Sequence, residues 1–297
     1  MKIAVIGAGA VGLFLASTLE KEGQEVTIFS KSLRQAELIM EHGISLVGKL
    51  KCKKQIAARI SDDAHSRYDL IIVAVKSYHV ESVLANNRSL ANEGASWLFV
   101  QNGMAHLQQL SRLSDHVYVG VLEYGLFKKK ELPSVEVRGI GQLKIAPYSR
   151  VDKRVTACLK MAFTSELLQV EWEDQYKEML EKKLIVNACI NPLTAILGVT
   201  NGALIEIPGY KRAMKDVFIE AMAAINRTDT KERWEHVLTI CEQTKENHSS
   251  MFVDAQQGRQ LELDAIIGYI MQQGKQHQVT TPKIDMLYHL LNKGHCS

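Results

Sequence analysis

Residues 2–16, KIAVIGAGAVGLFLA, place a β-rich apolar run, a glycine loop and an apolar helical stretch in immediate succession. Gly7, Gly9 and Gly12 have GxGxxG spacing and directly follow the strand expected over Lys2–Ile6. Each glycine answers a separate need: a tight turn at Gly7, close approach of a diphosphate to the backbone at Gly9, and close packing of helix on strand at Gly12. The loop from Gly7 to Gly12, with Ala8, Ala10 and Val11 between, then presents its amides to an anion at the positive end of the helix. A purely structural glycine turn is the alternative. The loop's place at the head of an α/β pattern favours dinucleotide binding.

Outward from this unit, short β-rich runs alternate with helical stretches. The expected strands are Lys2–Ile6, Glu25–Ser30, Asp69–Lys76, Trp97–Gln101 and Tyr118–Glu123, with a hairpin across Val135–Ala146. Such alternation gives a largely parallel sheet covered on both faces. From about residue 152 the periodicity is helical only, over Lys153–Thr164, Tyr176–Leu193, Lys211–Asn226, Lys231–Asn247 and Leu261–His277. The fold is therefore read as α/β: an N-terminal Rossmann-type dinucleotide-binding domain, residues 1–170, followed by an all-α C-terminal domain, residues 171–297.

Composition agrees with two cores: 297 residues, 46% hydrophobic and 23% charged, are enough for two domains. The net charge is only +3, and basic and acidic residues alternate along the chain, which argues against nucleic acid as a partner. The run Lys128-Lys129-Lys130, followed at once by Glu131 and Pro133, reads as a solvated loop. Five scattered cysteines (Cys52, Cys158, Cys189, Cys241, Cys296) without a CxxC pair support neither a disulfide framework nor a metal site. No apolar run approaches the roughly 20 residues that span a bilayer. The expectation is a cytoplasmic protein without a membrane partner, and a homodimer is compatible with it.

The second expected strand bears on which dinucleotide is bound. A carboxylate there would accept hydrogen bonds from the ribose of NAD, whereas a 2′-phosphate needs cations. Residues 27–35 read TIFSKSLRQ, with no acid before Glu37, so Ser30, Lys31, Ser32 and Arg34 stand where the extra phosphate would lie. NADP(H) is favoured over NAD(H), with Lys31 and Arg34 as solvated surface cations the alternative. Ligands of open parallel sheets bind at the carboxyl ends of strands, where Lys76 ends DLIIVAVKS and Asn102 with Gly103 ends WLFVQNGM. Both are candidates, although Asn-Gly is also a common turn.

A second signal lies in EKKLIVNACINPLTA, residues 181–195. Lys183, Asn187 and Asn191 recur every four residues among apolar neighbours, drifting only about 40° per step around a helix, so they form one stripe. A positioned ammonium polarises a carbonyl and donates a proton when hydride arrives at its carbon. Carboxamides suit a small substrate bearing hydroxyl or carboxylate groups. Against this, a lysine can snorkel and asparagines can bind neighbouring backbone. Three in register before Pro192 favour a substrate face. In ENHSSMFVDAQQGRQLELDAIIGYI, residues 246–270, Ser249 and Ser250 precede a helical turn and Glu262 opens an apolar helix. The serines suit a carboxylate, while Glu262 also has a reading as a mere dipole partner.

From GAGAVG through QNGM and KLIVNACINPLTAILGVTNG to NHSSM and LELD, the chain resembles the ketopantoate (2-dehydropantoate 2-) reductase family over essentially its whole length. The glycine loop is shared by many families; the K-x-x-x-N-x-x-x-N-P-L-T-A string is specific. The resemblance implies NADPH-dependent reduction of a small 2-oxo acid, 2-dehydropantoate, to pantoate, with Lys183 as proton donor and substrate contact. It implies substrate contacts at Asn187, Asn191, Asn201, Asn247, Ser250 and Asn102, with Ser250 on the substrate carboxylate. Cofactor contacts are implied at Lys31, Lys76, Asn102, the backbone near Leu126, and Glu262, which also sits beside the substrate. Lys31 replaces an arginine often found in the family, keeping the charge and losing the planar fork. Rival readings are a paralogue acting on another branched 2-oxo acid and a non-catalytic NADPH-binding regulator; the regulator would not need the lysine stripe. β-Hydroxyacid dehydrogenases also carry a Lys-x-x-x-Asn pair, but EWEDQYKEMLEKK lacks the glycines they place upstream.

Overall fold

The computed structural model describes residues 1–60, 66–113, 116–129, 132–149 and 151–292. The chain divides into two compact units, one of Met1–Gln101 with His106–Met179, the other of Asn102–Ala105 with Leu180 onward. The division thus falls after Met179, where the sequence places the join near residue 170, and a four-residue segment at Asn102 goes with the second unit.

In the first unit the strands are β1 (Lys2–Ile6), β2 (Glu25–Ser30), β3 (Ile44–Gly48), β4 (Cys52–Lys54), β5 (Ala57–Ile60), β6 (Tyr68–Val73), β7 (Ala91–Phe99), β8 (His116–Leu122), β9 (Gly125–Lys128), β10 (Ser134–Gly139), β11 (Leu143–Pro147) and β12 (Val170–Trp172). Eight of them form one sheet in the order β12-β11-β8-β7-β6-β1-β2-β5. From β5 to β8 all neighbours are parallel, and only β11 runs antiparallel to β8. A smaller sheet has the order β4-β3-β10-β9. Central strands of a covered parallel sheet are buried on both faces and become continuously apolar. Ile3, Ala4 and Val5 of β1 and Leu70 to Val73 of β6 are accordingly all at 0% exposure.

The first unit's helices are α1 (Ala10–Lys21), α2 (Leu33–His42), α3 (Val80–Asn86), α4 (Leu107–Leu110) and α5 (Lys153–Ala162). Every residue of α1 from Gly12 to Leu19 is buried, and Phe14 packs on Tyr124 with ring centroids 4.8 Å apart. Several expectations need correction. The anticipated hairpin does not form: β10 pairs with β3 and β9, while β11 pairs with β8 and β12. Alternation alone reports a strand, not its partner. The region after residue 152 is not purely helical, because β12 extends the main sheet. Lys128 belongs to β9 and is half-buried, so it is not a loop cation; Lys130 and Glu131 of the same run lie outside the described residues.

The helix α6 (Tyr176–Leu197) runs from the end of the first unit into the second and continues through Pro192, beyond the expected end at Leu193. The second unit adds α7 (Ala203–Glu206), α8 (Pro208–Ala224), α9 (Thr230–Gln243), α10 (Ser250–Gln256), α11 (Tyr269–His277) and α12 (Pro282–Leu291). Buried carboxylates join them. Glu181 of α6, 2% exposed, takes Nε and Nη2 of Arg227 at 2.6 and 2.5 Å. Glu220 of α8 accepts the backbone N–H groups of Lys283 and Ile284 at 2.9 and 3.1 Å, satisfying orphan donors at the start of α12. The helix expected over Leu261–His277 is instead a π-helical turn, Asp264–Gly268, leading into α11. There the Ala265 carbonyl accepts the N–H of Met104 at 2.9 Å.

Candidate active site

The glycine loop of the first unit has the form its spacing dictates. Gly7 has φ +111°, and a Cβ on it would stand 2.9 Å from the Ala74 carbonyl. A Cβ on Gly12 would stand 1.8 Å from the Gly7 oxygen, whereas one on Gly9 would meet nothing within 4 Å. Two glycines therefore serve the loop's own packing, and the third faces open space. Gly9 caps α1 without a side-chain hydrogen bond, and no acid occupies the helix's first turn. The amides around Ala10 and Val11 are thus presented as an anion site. These features fit a dinucleotide diphosphate.

At the end of β2, Ser30 is buried, while Lys31, Ser32 and Arg34 are exposed. The Ser30 hydroxyl donates to Gln35 Oε1 at 3.0 Å and accepts the Ser32 N–H at 3.2 Å. Gln35 Nε2 reaches back to the Ala8 carbonyl of the glycine loop at 2.7 Å, and Lys128 Nζ meets the same oxygen at 2.9 Å. Burial, with the nearby Lys31 ammonium, holds the His79 imidazole below its ordinary pKa. Lys76 is half-buried and leads a short 3₁₀ turn, Ser77–His79. Gln101 steadies the backbone before it, donating through Nε2 to the carbonyls of Val73 (2.7 Å) and Val75 (3.1 Å). Leu126 lies half-buried on β9 opposite Val137.

In the second unit the stripe on α6 is real. Lys183 is half-buried, and Asn187 and Asn191 are 9% and 7% exposed. It extends one step further, to the fully buried Thr194, whose Oγ1 lies 2.7 Å from Ser249 Oγ. Ser249 is the N-cap of α10, accepting the Phe252 N–H at 3.1 Å, so it is committed to structure. Ser250 and Asn247 on either side of it are exposed. Asn201 holds that loop: its N–H donates to the Asn247 carbonyl and its Nδ2 to Thr244 Oγ1, both at 2.9 Å. Its Oδ1 is buried with no partner among the described residues. Asn102 Nδ2 donates to the buried Glu262 carboxylate at 3.2 Å, joining two candidates separated by 160 positions.

Gln35, Gln101 and Thr194 escape the sequence reading, and Ser249, read there with Ser250 as suited to a carboxylate, serves instead as the N-cap of α10. Thr194 alone leaves a signal, three residues beyond Asn191 on the stripe's helical face. Gln35 reaches the site through hydrogen bonds that no periodicity records. Among the described residues no three His, Cys, Asp or Glu side chains gather as metal ligands, and no helix is long and apolar enough to cross a membrane.

A largely parallel sheet headed by an open glycine loop marks the first unit as a dinucleotide-binding domain, the kind found in nicotinamide-dependent oxidoreductases. Comparison with known proteins specifies it further. Residues 3–150 match the family described as ketopantoate reductase PanE/ApbA, and residues 175–295 match its C-terminal counterpart. The 2-dehydropantoate 2-reductase of Bacillus subtilis is 36% identical over 292 residues, covering 97% of this chain and 95% of that protein. The crystal structure of the probable 2-dehydropantoate 2-reductase of the same organism superposes with a TM-score of 0.86 at 35% identity, covering 98% of this chain and 99% of the other. D-mandelate dehydrogenase bound to NADH and anilino(oxo)acetate is similar in fold alone, with a TM-score of 0.87 at 23% identity over 98% of this chain and 97% of that one. The chain belongs to the ketopantoate reductase family.

Proposed function

We propose that the protein reduces 2-dehydropantoate to pantoate with NADPH, serving pantothenate and coenzyme A synthesis, and that Lys183 is the proton donor. What carries the reading is the polar stripe on α6, half-buried Lys183 with buried Asn187 and Asn191, set among the apolar residues Leu184, Ile185, Val186, Ala188 and Ile190. When bound, NADPH supplies the hydride that reduces C2 of the keto acid. Lys183 polarises the C2 oxygen and gives it a proton as negative charge develops there. Asn187 and Asn191 hold the substrate's polar groups, and Asn201 offers its remaining acceptor to the hydroxyl. Ser250, with Asn247, takes the carboxylate. Asn102 and Glu262, held together, serve the cofactor beside the substrate. The glycine-loop amides hold the diphosphate, Lys31 reads the 2′-phosphate, and Lys76 and the backbone near Leu126 complete the cofactor contacts.

The test is the oxidation of NADPH and, separately, NADH with 2-dehydropantoate and a panel of other branched 2-oxo acids. Turnover confined to 2-dehydropantoate with NADPH is expected; efficient turnover of a different acid would replace the substrate assignment and leave the stripe's chemistry standing. Lys183→Ala is expected to lower kcat by on the order of 10²–10⁴, with the Kd for NADPH unchanged. Near-normal turnover of that variant would remove Lys183 from the acid role.

A further inference from the structure

The peptide between Ala8 and Gly9 is held through its carbonyl. Its carbonyl accepts two donors, Gln35 Nε2 at 2.7 Å and Lys128 Nζ at 2.9 Å. A trans peptide sets its C=O and N–H in opposite directions. Pinning the carbonyl toward Gln35 and Lys128 therefore turns the Gly9 N–H away from both. Gly9 is also the residue whose Cα faces open space. Reversing this peptide would present oxygen lone pairs, rather than a donor, to an approaching phosphate.

Gln35 does more than hold one carbonyl. Its other polar atom, Oε1, accepts the Ser30 hydroxyl at 3.0 Å, and Ser30 Oγ in turn accepts the N–H of Ser32 at 3.2 Å. Those two serines bracket Lys31. The position of Gln35 as the third residue of α2 lets its side chain reach back over the helix start. Both ends of one carboxamide are thus engaged, one on the glycine loop and one on the turn that carries Lys31, and the side chain cannot rotate without releasing both.

We infer that Gln35 is a positioning residue for the cofactor, orienting the Ala8–Gly9 peptide for the diphosphate and fixing the Ser30–Ser32 turn for the 2′-phosphate. The inference rests on the reading that NADPH occupies this loop. It predicts that loss of Gln35 weakens NADH as well as NADPH, unlike loss of Lys31, which weakens NADPH alone.

Equilibrium binding of both nucleotides, followed by quenching of protein fluorescence, tests it with wild type, Gln35→Leu, Gln35→Glu and Lys31→Ala. For Gln35→Leu the Kd for NADH is expected to rise about tenfold, the worth of one net hydrogen bond with its reorientation, and that for NADPH at least as much. At saturating NADPH, kcat and the KM for the keto acid should stay at wild-type values, which separates positioning of the cofactor from general loosening of the protein. Gln35→Glu keeps an acceptor for Ser30 but sets a carboxylate against the Ala8 carbonyl, so at neutral pH it should weaken both nucleotides more than Gln35→Leu. NADH binding unchanged in both Gln35 variants would overturn the inference while leaving the cofactor reading intact. A wild-type protein that bound neither nucleotide would overturn that reading itself.

Discussion

His106 is 2% exposed, and neither of its ring nitrogens has a hydrogen-bond partner among the described residues. Burial alone pushes its pKa down to about 4 from 6.5. An unfolded chain takes up this proton as pH falls through 6.5, the folded one does not until about 4, and stability is lost across that window on acidification. Between pH 7 and pH 5 the loss attributable to this ring is about 2 kcal/mol. Chemical denaturation at the two pH values should show it, and His106→Phe should flatten that part of the pH dependence. An equally steep loss in the variant would place the acid sensitivity elsewhere. At this scale sequence reading is strongest where chemistry recurs with a period. Lys183, Asn187 and Asn191 announce themselves by breaking an apolar helix at regular steps. Which of two adjacent serines is structural has no such signature: the chain spells only Ser-Ser, and it is the buried contact to Thr194 that commits Ser249.

That contact matters at the scale of elements. Thr194 and Ser249 lie 2.7 Å apart and tie the last turns of α6 to the start of α10, so the stripe and the Asn247–Ser250 loop share one frame. Thr194→Val keeps the shape and removes the hydroxyl. The KM for the keto acid is expected to rise about tenfold with NADPH binding unaltered, and Thr194→Ser should restore it. Equal KM values in the valine and wild-type proteins would show that the loop is held without this link. Legibility among elements tracks length and locality. The long runs of β1, β2, α1, α6 and α8 could be read because their burial is regular over many residues. By contrast β3, β4 and β5 fall in the lysine-rich stretch around residues 44–60, where neither alternation nor apolar runs stand out. The lost hairpin has the same origin. Whether β10 joins β9 and β3 or its chain neighbour β11 is decided by residues far away in sequence.

For the molecule as a whole, a length of 297 residues and the change from strand-helix alternation to helical periodicity lead the sequence reading to two domains. The exchange of a short segment between units could not be anticipated, because its partners lie 160 positions further on. A ligand bound only by the native state adds RT ln(1 + [L]/Kd) to stability. NADPH at 100 times its Kd should therefore add about 2.7 kcal/mol and raise the thermal midpoint measurably in a calorimetric scan. An unmoved midpoint would argue against binding to the folded protein.

The four residues Asn102–Ala105 have a genetic consequence. Gly103 has φ +74°, and a Cβ on it would stand 2.0 Å from the Ala265 oxygen, while Asn102 and Met104 bond to Glu262 and Ala265. A single crossover near residue 180 between two relatives would inherit this segment from one parent and its seat from the other. A working chimera must bring positions 102–105 across together with the C-terminal half, so the second unit cannot be traded among these proteins as one contiguous cassette.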